Sequence, residues 1–298
     1  EEATIKALEI AKLRGQLARG LTAPDLNETK LSENLRLYKK YDGLNKKIEI
    51  ALGPHAIYTN NKDYLKRIAD ISKEYNIPIH IHLSETKVEN DECLKKYGKS
   101  PSEVFDECGI FDGRVIAAHG VHLSDNDLDI LKEKEVSIVH NPSSNLKLSS
   151  GICDVSRLLD YGINVCLGTD SASSNNKQSM LKEIEIASLI SKLKAANNLK
   201  SYDVLKMATV NGAKALGIDD KVGTIEVGKK ADIIMIDIDN INHLPCNDLI
   251  ASICYSTYDS DISYVMIQGD IVYENGTYNY LDIDKIKYMA NKLSKELL

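Results

Sequence analysis

The sequence feature that most constrains the fold is a regular alternation of short apolar, β-branched runs with longer amphipathic stretches. The apolar runs predict six strands, at 13–18, 48–52, 77–83, 114–118, 136–140 and 164–168. Stretches such as 62–75 and 125–134 have apolar residues at helical spacing, and Ser124 is a candidate N-cap for the second. Strands that alternate with helices are typical of βα units around a parallel sheet. The sequence therefore predicts an α/β fold.

Two arrangements of these units are open. Six units do not close an eight-stranded barrel, so a doubly wound sheet is the alternative unless two further units precede residue 1. Polar residues follow the predicted strands at or just past their ends: His55, His82, Glu85, His119, His140 and Asp170. Strand ends meet at one mouth in a barrel but spread along an edge in an open sheet. We therefore predict a (β/α)8 TIM-like barrel whose first strands are absent from this chain.

The last part of the chain has a different pattern. After predicted helices at 180–193 and 202–216, the stretch 223–237 predicts two short strands around a glycine turn. The stretch 264–273, followed by Glu-Asn-Gly, predicts a strand entering a hairpin. We divide the chain into a hydrolase barrel (1–218), the C-terminal part of a small β-sandwich (219–280) and a C-terminal helix (281–298).

Composition excludes several classes of protein. The net charge is −7, and Lys and Arg are scattered among Asp and Glu, which argues against nucleic acid as a partner. The sequence has neither a run long enough to span a membrane nor a signal peptide at its start, so we expect no membrane association and a cytoplasmic location. Six cysteines without close pairing predict reduced thiols, with a cysteine-metal site or a catalytic cysteine as the alternative.

The sharpest local motif is His80-Ile-His82, followed by Glu85. Side chains alternate along a strand, so both imidazoles point the same way, and in a barrel that direction can be inward. Imidazoles so placed are natural ligands for zinc or iron, although a polar layer inside the sheet explains the motif equally well. Glu85 lies past the strand end, where a carboxylate can give a proton to a substrate or take one from water.

Two more polar residues end predicted strands. His119 precedes Gly120, which leaves room for a ligand near the backbone. Asp170 follows the last apolar run, where it is either a helix cap or a metal ligand. Each residue alone has a structural explanation, but their occurrence with His82 and Glu85 on successive strand ends favours a catalytic site.

The ordered motifs carry a family resemblance. They are Gly53-Pro54-His55, Ile81 to Thr86, Ala118 to Leu123, His140 to Leu148 and Gly168-Thr169-Asp170. In this order they resemble the amidohydrolase superfamily, and more closely its branch of 5-methylthioadenosine/S-adenosylhomocysteine deaminases and triazine chlorohydrolases. The stretch 223–232 resembles the segment where such enzymes pass from the barrel to their small sandwich. The resemblance implies a divalent metal, zinc with iron as the alternative, and hydrolytic deamination of a 5'-substituted adenosine to the inosine analogue and ammonia.

The resemblance also implies residue roles at the reacting centre. His82 and Asp170 would ligate the metal. Glu85 would carry a proton to the purine ring. His119, together with Asp170, would handle the protons of the attacking water.

Substrate contacts are implied in the same way. His55 and Glu85 would contact the bound nucleoside. Arg19, near a strand end, would hold the amino-acid carboxylate of S-adenosylhomocysteine. Lys30 stands where related enzymes tend to have a second arginine, and since lysine lacks the planar fork, smaller 5'-substituents stay open.

One element of the family pattern lies outside this sequence. Family members have a first H-x-H pair on the first barrel strand, upstream of every motif here, so we expect that pair to precede residue 1. The alternative is that His80 and His82 are that pair. Rival functions are guanine deaminase or triazine or chloro-compound hydrolase on the same scaffold, and a metal-free barrel that acts as a binding module. Self-association into a homo-oligomer stays open.

Overall fold

The computed structural model describes residues 1–297, and its main element is a six-stranded parallel sheet. The strands are β1 (Gly15–Leu21), β2 (Ile48–Pro54), β3 (Ile79–Leu83), β4 (Val115–His119), β5 (Ser137–His140) and β6 (Val165–Leu167). They pair in chain order from β1 to β6. A doubly wound sheet reverses its strand order at a switch point, whereas sequential order is that of a (β/α) barrel. The predicted barrel architecture is confirmed.

Helices connect and cover these strands. They are α1 (Glu2–Ala11), α2 (Thr29–Tyr41), α3 (Lys62–Tyr75), α4 (Lys87–Tyr97), α5 (Pro101–Glu107), α6 (Asp125–Glu133), α7 (Pro142–Lys147), α8 (Val155–Asp160), α9 (Met180–Ser191), α10 (Ser201–Met207), α11 (Val210–Ala215), α12 (Leu249–Ser256) and α13 (Ile283–Leu297). The predicted cap of α6 is confirmed, because the Ser124 side chain accepts a hydrogen bond from Asp127 N.

The core lies between the sheet and its helices. Ile79, Ile81 and Leu83 of β3 are almost fully buried in it, together with one face of α3. His80 and His82 occupy the alternate positions, on the opposite face of the strand, and both are more exposed than their apolar neighbours. This alternation follows from the period of two along a strand, and it leaves the imidazoles facing the inner side of the curved sheet.

A small antiparallel sheet follows the barrel strands. Its order is β10-β9-β8-β7, built from β7 (Ile233–Ile236), β8 (Ile262–Ile267), β9 (Asp270–Glu274) and β10 (Thr277–Tyr278). Ion pairs join it to the N-terminal ends of β1 and β2, where Arg14 meets Asp232 and Lys47 Nζ lies 3.2 Å from Asp270 Oδ2. The predicted β appendage is present.

Several predicted boundaries in this region were wrong. Only one strand forms in 223–237, since Gly223 and Gly228 lie in turns with φ near +98° and +97°. The stretch 264–273 is split into β8 and β9 by Gln268 and Gly269, whose positive φ angles make a tight hairpin turn. The predicted helix 202–216 is broken at Thr209, where φ is −132° and ψ is −98°, into α10 and α11.

The boundary between barrel and appendage is less sharp than the sequence division. Helix α12 lies inside the predicted 219–280 segment but packs against α9 and α10. Its Cys254 belongs to the main core, and Tyr255 shares a hydrogen bond with Ser188 of α9. The chain therefore returns to the barrel within the appendage, and the three-part division stays a prediction.

No helix within residues 1–297 has the length and apolar character needed to cross a membrane.

Candidate active site

Two histidines lie side by side at the C-terminal ends of β3 and β4. Leu83 of β3 pairs with His119 of β4, and His82 directly precedes Leu83. His82 and His119 therefore lie on adjacent strands, one residue apart in the register. The two imidazole rings are stacked, with centroids 5.4 Å apart and planes inclined by 19°. The parallel sheet therefore brings together two groups that are 37 residues apart in the chain, which is the difference of their numbers 119 and 82.

The ring of His82 is held in one tautomer. Its Nδ1 donates to the backbone oxygen of His55 at 2.7 Å, and its backbone N–H donates to the same oxygen at 3.1 Å. A carbonyl accepts only, so the proton is on Nδ1 and the lone pair is on Nε2. This is the arrangement that a metal-ligating histidine requires.

His119 is buried and oriented through one side chain. It is 1% exposed and adopts φ +80°, in the left-handed region. Its Nδ1 donates to Asn145 Oδ1 at 2.9 Å, so Nε2 carries the lone pair, and Nε2 lies 3.7 Å from Glu85 Oε2. In the neutral form of the ring, the lone pair of Nε2 lies beside a carboxylate, an arrangement suited to a base for a water molecule.

Glu85 is directed into the mouth by a sharp turn of the backbone. Ser84, between the strand and Glu85, has φ +47° and is fully buried. Glu85 N donates to Glu89 Oε2 at 2.7 Å, and Glu85 Oε1 accepts from Ser150 Oγ at 3.2 Å. Both the backbone and the carboxylate of Glu85 are therefore held by hydrogen bonds.

Asp170 comes just past the end of β6, also in a left-handed conformation, with φ +62°. Its Oδ2 accepts from Ser144 Oγ at 2.6 Å and its Oδ1 from Ser171 N at 2.6 Å. Burial raises the pKa of Asp170, but hydrogen bonds from Ser144, Ser174 and Ser171 outweigh burial and hold that pKa below its usual value. The carboxylate is therefore ionised near neutral pH.

His55 lies against the same group of rings. Its ring centroid is 4.9 Å from that of His82 and 5.8 Å from that of Tyr58. The Thr59 hydroxyl donates to Ala56 O, so it accepts from His55 Nδ1 at 3.1 Å and leaves His55 Nε2 as an acceptor. Burial, and then the neighbouring His82, lower the pKa of His55, so its ring is neutral near pH 7.

The structure does not bring Arg19 to these groups. Arg19 shares a face of β1 with the buried Leu21, the face that meets the helices. Its Nε donates to Glu33 Oε2 at 2.9 Å, and its Nη1 is 3.7 Å from Glu1 Oε1. Strand β1 extends three residues beyond its predicted end at Ala18, so Arg19 lies within the strand rather than in a loop at the mouth.

Lys30 is also occupied. Its Nζ donates to Thr22 O at 3.0 Å and contacts Thr22 Oγ1 at 2.5 Å, close to the exit of β1. It forms no ion pair within 4.0 Å among the described residues. Neither cation is positioned to clamp a substrate carboxylate in this conformation.

His140 ends β5 and is 1% exposed. Neither of its ring nitrogens has a hydrogen-bond partner within residues 1–297. Burial, followed by the neighbouring His119, lowers the pKa of His140 to about 3. The ring is therefore neutral near pH 7, and it lies close to His119.

Sequence reasoning missed the residues that orient the site. Helix α7 and the turn after it contribute Ser144 to Asp170, Asn145 to His119 and Ser150 to Glu85. Ser150 O also accepts from His122 Nε2 at 2.7 Å. The signal in the sequence was a run of small polar residues directly after a buried strand. In the sequence this run indicates only the family resemblance, as part of the motif His140 to Leu148.

The metal-donor set within the described residues is partial. No cluster of three or more His, Cys, Asp or Glu side chains able to hold a metal ion occurs within residues 1–297. The role of His82 and Asp170 as metal ligands stays a prediction.

Comparison with known proteins places the chain in a family. The model of the amidohydrolase family matches residues 2–272. The chain belongs to the amidohydrolase family. It is 44% identical to a 5-methylthioadenosine/S-adenosylhomocysteine deaminase of Thermoanaerobacter pseudethanolicus, over 98% of this chain and 69% of the relative. It is 38% identical to a 5'-deoxyadenosine deaminase of Methanobrevibacter smithii, over 99% of this chain and 70% of the relative.

A solved structure has the same fold. A crystal structure of an adenosine deaminase from Xanthomonas campestris with bound zinc superimposes with a TM-score of 0.94 and 27% identity. The match covers 99% of this chain and 69% of that one. The arrangement of strands and helices described above is therefore that of a deaminase scaffold.

Proposed function

We propose that this amidohydrolase removes the amino group of a 5'-substituted adenosine by hydrolysis and releases ammonia and the inosine analogue. The observation that carries the proposal is the convergence of His82, Glu85, His119 and Asp170 at one mouth, each fixed by a hydrogen bond. The names of the relatives at 38–44% identity support adenosine-type substrates. The substrates we propose are 5'-methylthioadenosine, S-adenosylhomocysteine and 5'-deoxyadenosine.

His82 and Asp170 fit two of the ligand positions of a divalent metal. His82 offers a lone pair on Nε2 because its Nδ1 is committed to a carbonyl, and Asp170 is ionised and held at both oxygens. Imidazole and carboxylate ligands suit zinc and iron, and we propose zinc, as in the Xanthomonas campestris deaminase. When bound, the metal supplies a water nucleophile at neutral pH.

The side chains around it have complementary tasks. His119 accepts a proton from the attacking water at Nε2, since Nδ1 already donates to Asn145. Glu85, beside His119, donates a proton to the purine ring nitrogen next to the amine-bearing carbon, which makes that carbon a better electrophile. Asp170 receives the second proton of the water and gives it to the departing amine, which leaves as ammonia. The proton held on His119 returns to Glu85, 3.7 Å away, for the next cycle. His55 presents Nε2 as an acceptor to the bound nucleoside.

The side chains described above do not select one 5'-substituent of the substrate. Arg19 contacts Glu33, and Lys30 contacts Thr22. Neither side chain is therefore placed to select a substrate that carries an amino-acid carboxylate. We therefore propose the class of 5'-substituted adenosines rather than one member.

A substrate panel tests the proposal. Metal-loaded protein is incubated with the three adenosine derivatives and, as rival substrates, guanine and a chlorotriazine, and released ammonia or chloride is measured. We expect ammonia from at least one adenosine derivative and release that is slower by roughly 100-fold or more with the Glu85→Gln variant. Turnover of guanine or the chlorotriazine alone would replace the substrate class, and no turnover at all would favour the binding-module alternative.

A further inference from the structure

A buried carboxylate lies behind the site, outside the set of groups described so far. Glu183, in the first turns of α9, is 0% exposed. Its Oε2 accepts from Ser143 N at 2.9 Å, and its Oε1 accepts from Asn175 Nδ2 at 2.9 Å. Among the described residues, no side-chain nitrogen of Lys, Arg or His lies within 4.0 Å of its carboxylate oxygens. Both oxygens are therefore used to receive N–H groups rather than to pair with a cation.

The two donors of Glu183 lead to Asp170 by separate routes. Ser143 is adjacent to Ser144, whose hydroxyl donates to Asp170 Oδ2 at 2.6 Å. Asn175 Nδ2 also donates to Thr169 O at 2.9 Å, on the residue that precedes Asp170. One carboxylate thus anchors both the segment that holds the Asp170 side chain and the loop that holds its backbone.

The backbone at Asp170 needs such support. Its φ of +62° is uncommon for a residue other than glycine, and such a conformation persists only where the surroundings hold it. A buried carboxylate is also costly for the fold, and an apolar residue of the same volume often replaces buried charge without loss of stability. A carboxylate is, however, an acceptor only, so it can receive an N–H group at each oxygen, which neither an amide nor an apolar side chain can do.

We propose that Glu183 is a positioning residue that fixes the metal-ligating geometry of Asp170 through Ser143 and Asn175. The inference rests on the proposed function, in which Asp170 is a metal ligand. It predicts that Glu183 acts on metal affinity from outside the ligand set, as groups behind a ligand do when their loss weakens metal binding roughly 10- to 100-fold.

The test compares the zinc affinity of variants of the full protein, measured by competition with a chelator. The thermal midpoint of unfolding is measured for the metal-free form of each variant. Glu183→Gln turns one oxygen into an NH2 group that faces Asn175 or Ser143 N–H, so it removes one acceptor with little change in volume. Glu185→Gln, an exposed residue on the same helix, is the matched control. We expect zinc affinity to fall about 10- to 100-fold in Glu183→Gln and to stay at the wild-type value in Glu185→Gln.

A second variant covers the case in which Glu183→Gln does not fold. Asn175→Ala removes the donor that joins Glu183 to Thr169 O, and we expect the same direction of change in zinc affinity. If Glu183→Gln folds and binds zinc with wild-type affinity, the inference is overturned. If Glu183→Gln does not fold, wild-type affinity in Asn175→Ala overturns it. A lower thermal midpoint of the metal-free variant does not change this conclusion, because lower stability with unchanged zinc affinity shows a purely structural role. The Asp170→Asn variant tests whether Asp170 is a metal ligand, separately from the role of Glu183. Unchanged zinc affinity in Asp170→Asn would contradict the assignment of Asp170 as a ligand.

Discussion

His119 donates from Nδ1 to the side-chain oxygen of Asn145 over 2.9 Å, and this bond places the lone pair of Nε2 on the side of Glu85, 3.7 Å away. A neutral imidazole has one proton on its two nitrogens, so the hydrogen-bond partner of one nitrogen decides the role of the other. Asn145 is 1% exposed, and no water competes easily for the bond. The base in this site is therefore defined by a residue on the helix after β5.

Replacing Asn145 with Ala should lower kcat by about 10- to 100-fold, the range seen when a group behind a functional histidine is lost. The ring would lose the acceptor that holds its proton on Nδ1, and KM should change less than kcat. Steady-state kinetics on the best substrate of the panel measures both constants. Asn126→Ala, at an exposed position on α6, is the control, and equal rates in the two variants would contradict the role of Asn145.

Glu85→Gln should cut kcat by roughly 100- to 10,000-fold, the range for a lost general acid or base, while zinc content stays near that of the wild type. The amide keeps the shape of the side chain but does not carry the proton to the ring. Metal analysis and ammonia release on the same preparation separate the two effects. Glu92→Gln, on the exposed side of α4, should behave as wild type, and loss of zinc from Glu85→Gln would show that Glu85 binds the metal.

The two histidines of β3 should differ in their effect on metal binding. His82→Gln should lose most of the bound zinc, since its Nδ1 is held by a carbonyl and its Nε2 is free. His80→Gln should retain zinc, because we interpret His80 as a residue that lines the barrel. Zinc titration of both variants measures the difference. Loss of zinc in His80→Gln with retention in His82→Gln would reverse the ligand assignment.

Glu89 should make folding stability depend on pH. Burial is the largest cause that raises its pKa, from 4.5 to about 7, so the folded protein keeps this proton to a higher pH than the unfolded chain does. Where the folded state binds more protons, stability falls as the pH rises, here between about 4.5 and about 7. The loss is on the order of 3 kcal/mol for one group with such a shift.

The measurement is chemical unfolding of wild type and Glu89→Gln across that pH window. We expect the difference in unfolding free energy to shift in favour of Glu89→Gln as the pH rises, and to level off above the folded pKa. Glu92→Gln, on the same helix but exposed, should follow the wild type. A difference between wild type and Glu89→Gln that does not vary with pH would show that the carboxyl is not protonated in the fold.

The position of Arg19 depends on where strand β1 ends. The sequence predicts a strand that ends at Ala18, directly before this residue. The family resemblance then predicts that its guanidinium lies at the mouth. Strand β1 continues to Leu21 because Arg19, Gly20 and Leu21 pair with Leu52, Gly53 and Pro54 of β2. Each added strand residue alternates faces, so the longer strand turns Arg19 toward Glu33 and the helices. The residue at which a strand ends depends on how far the neighbouring strand extends to pair with it. The local sequence pattern carries no information about that neighbour.

The sequence alone determined the alternation of strands and helices, the barrel class and the placement of His82, Glu85, His119 and Asp170 at strand ends. These follow from periodicities of two and 3.6 and from the rule that parallel strands end at one edge, which are local or generic. Only the tertiary structure decided which side chains orient them. Ser150 reaches Glu85 across 65 residues, Glu183 reaches Ser143 across 40, and Asn145 reaches His119 across 26. A hydrogen bond requires two groups within about 3 Å, and the packing of α7 against α9, and of α9 against β6, brings residues so distant in the chain to that separation.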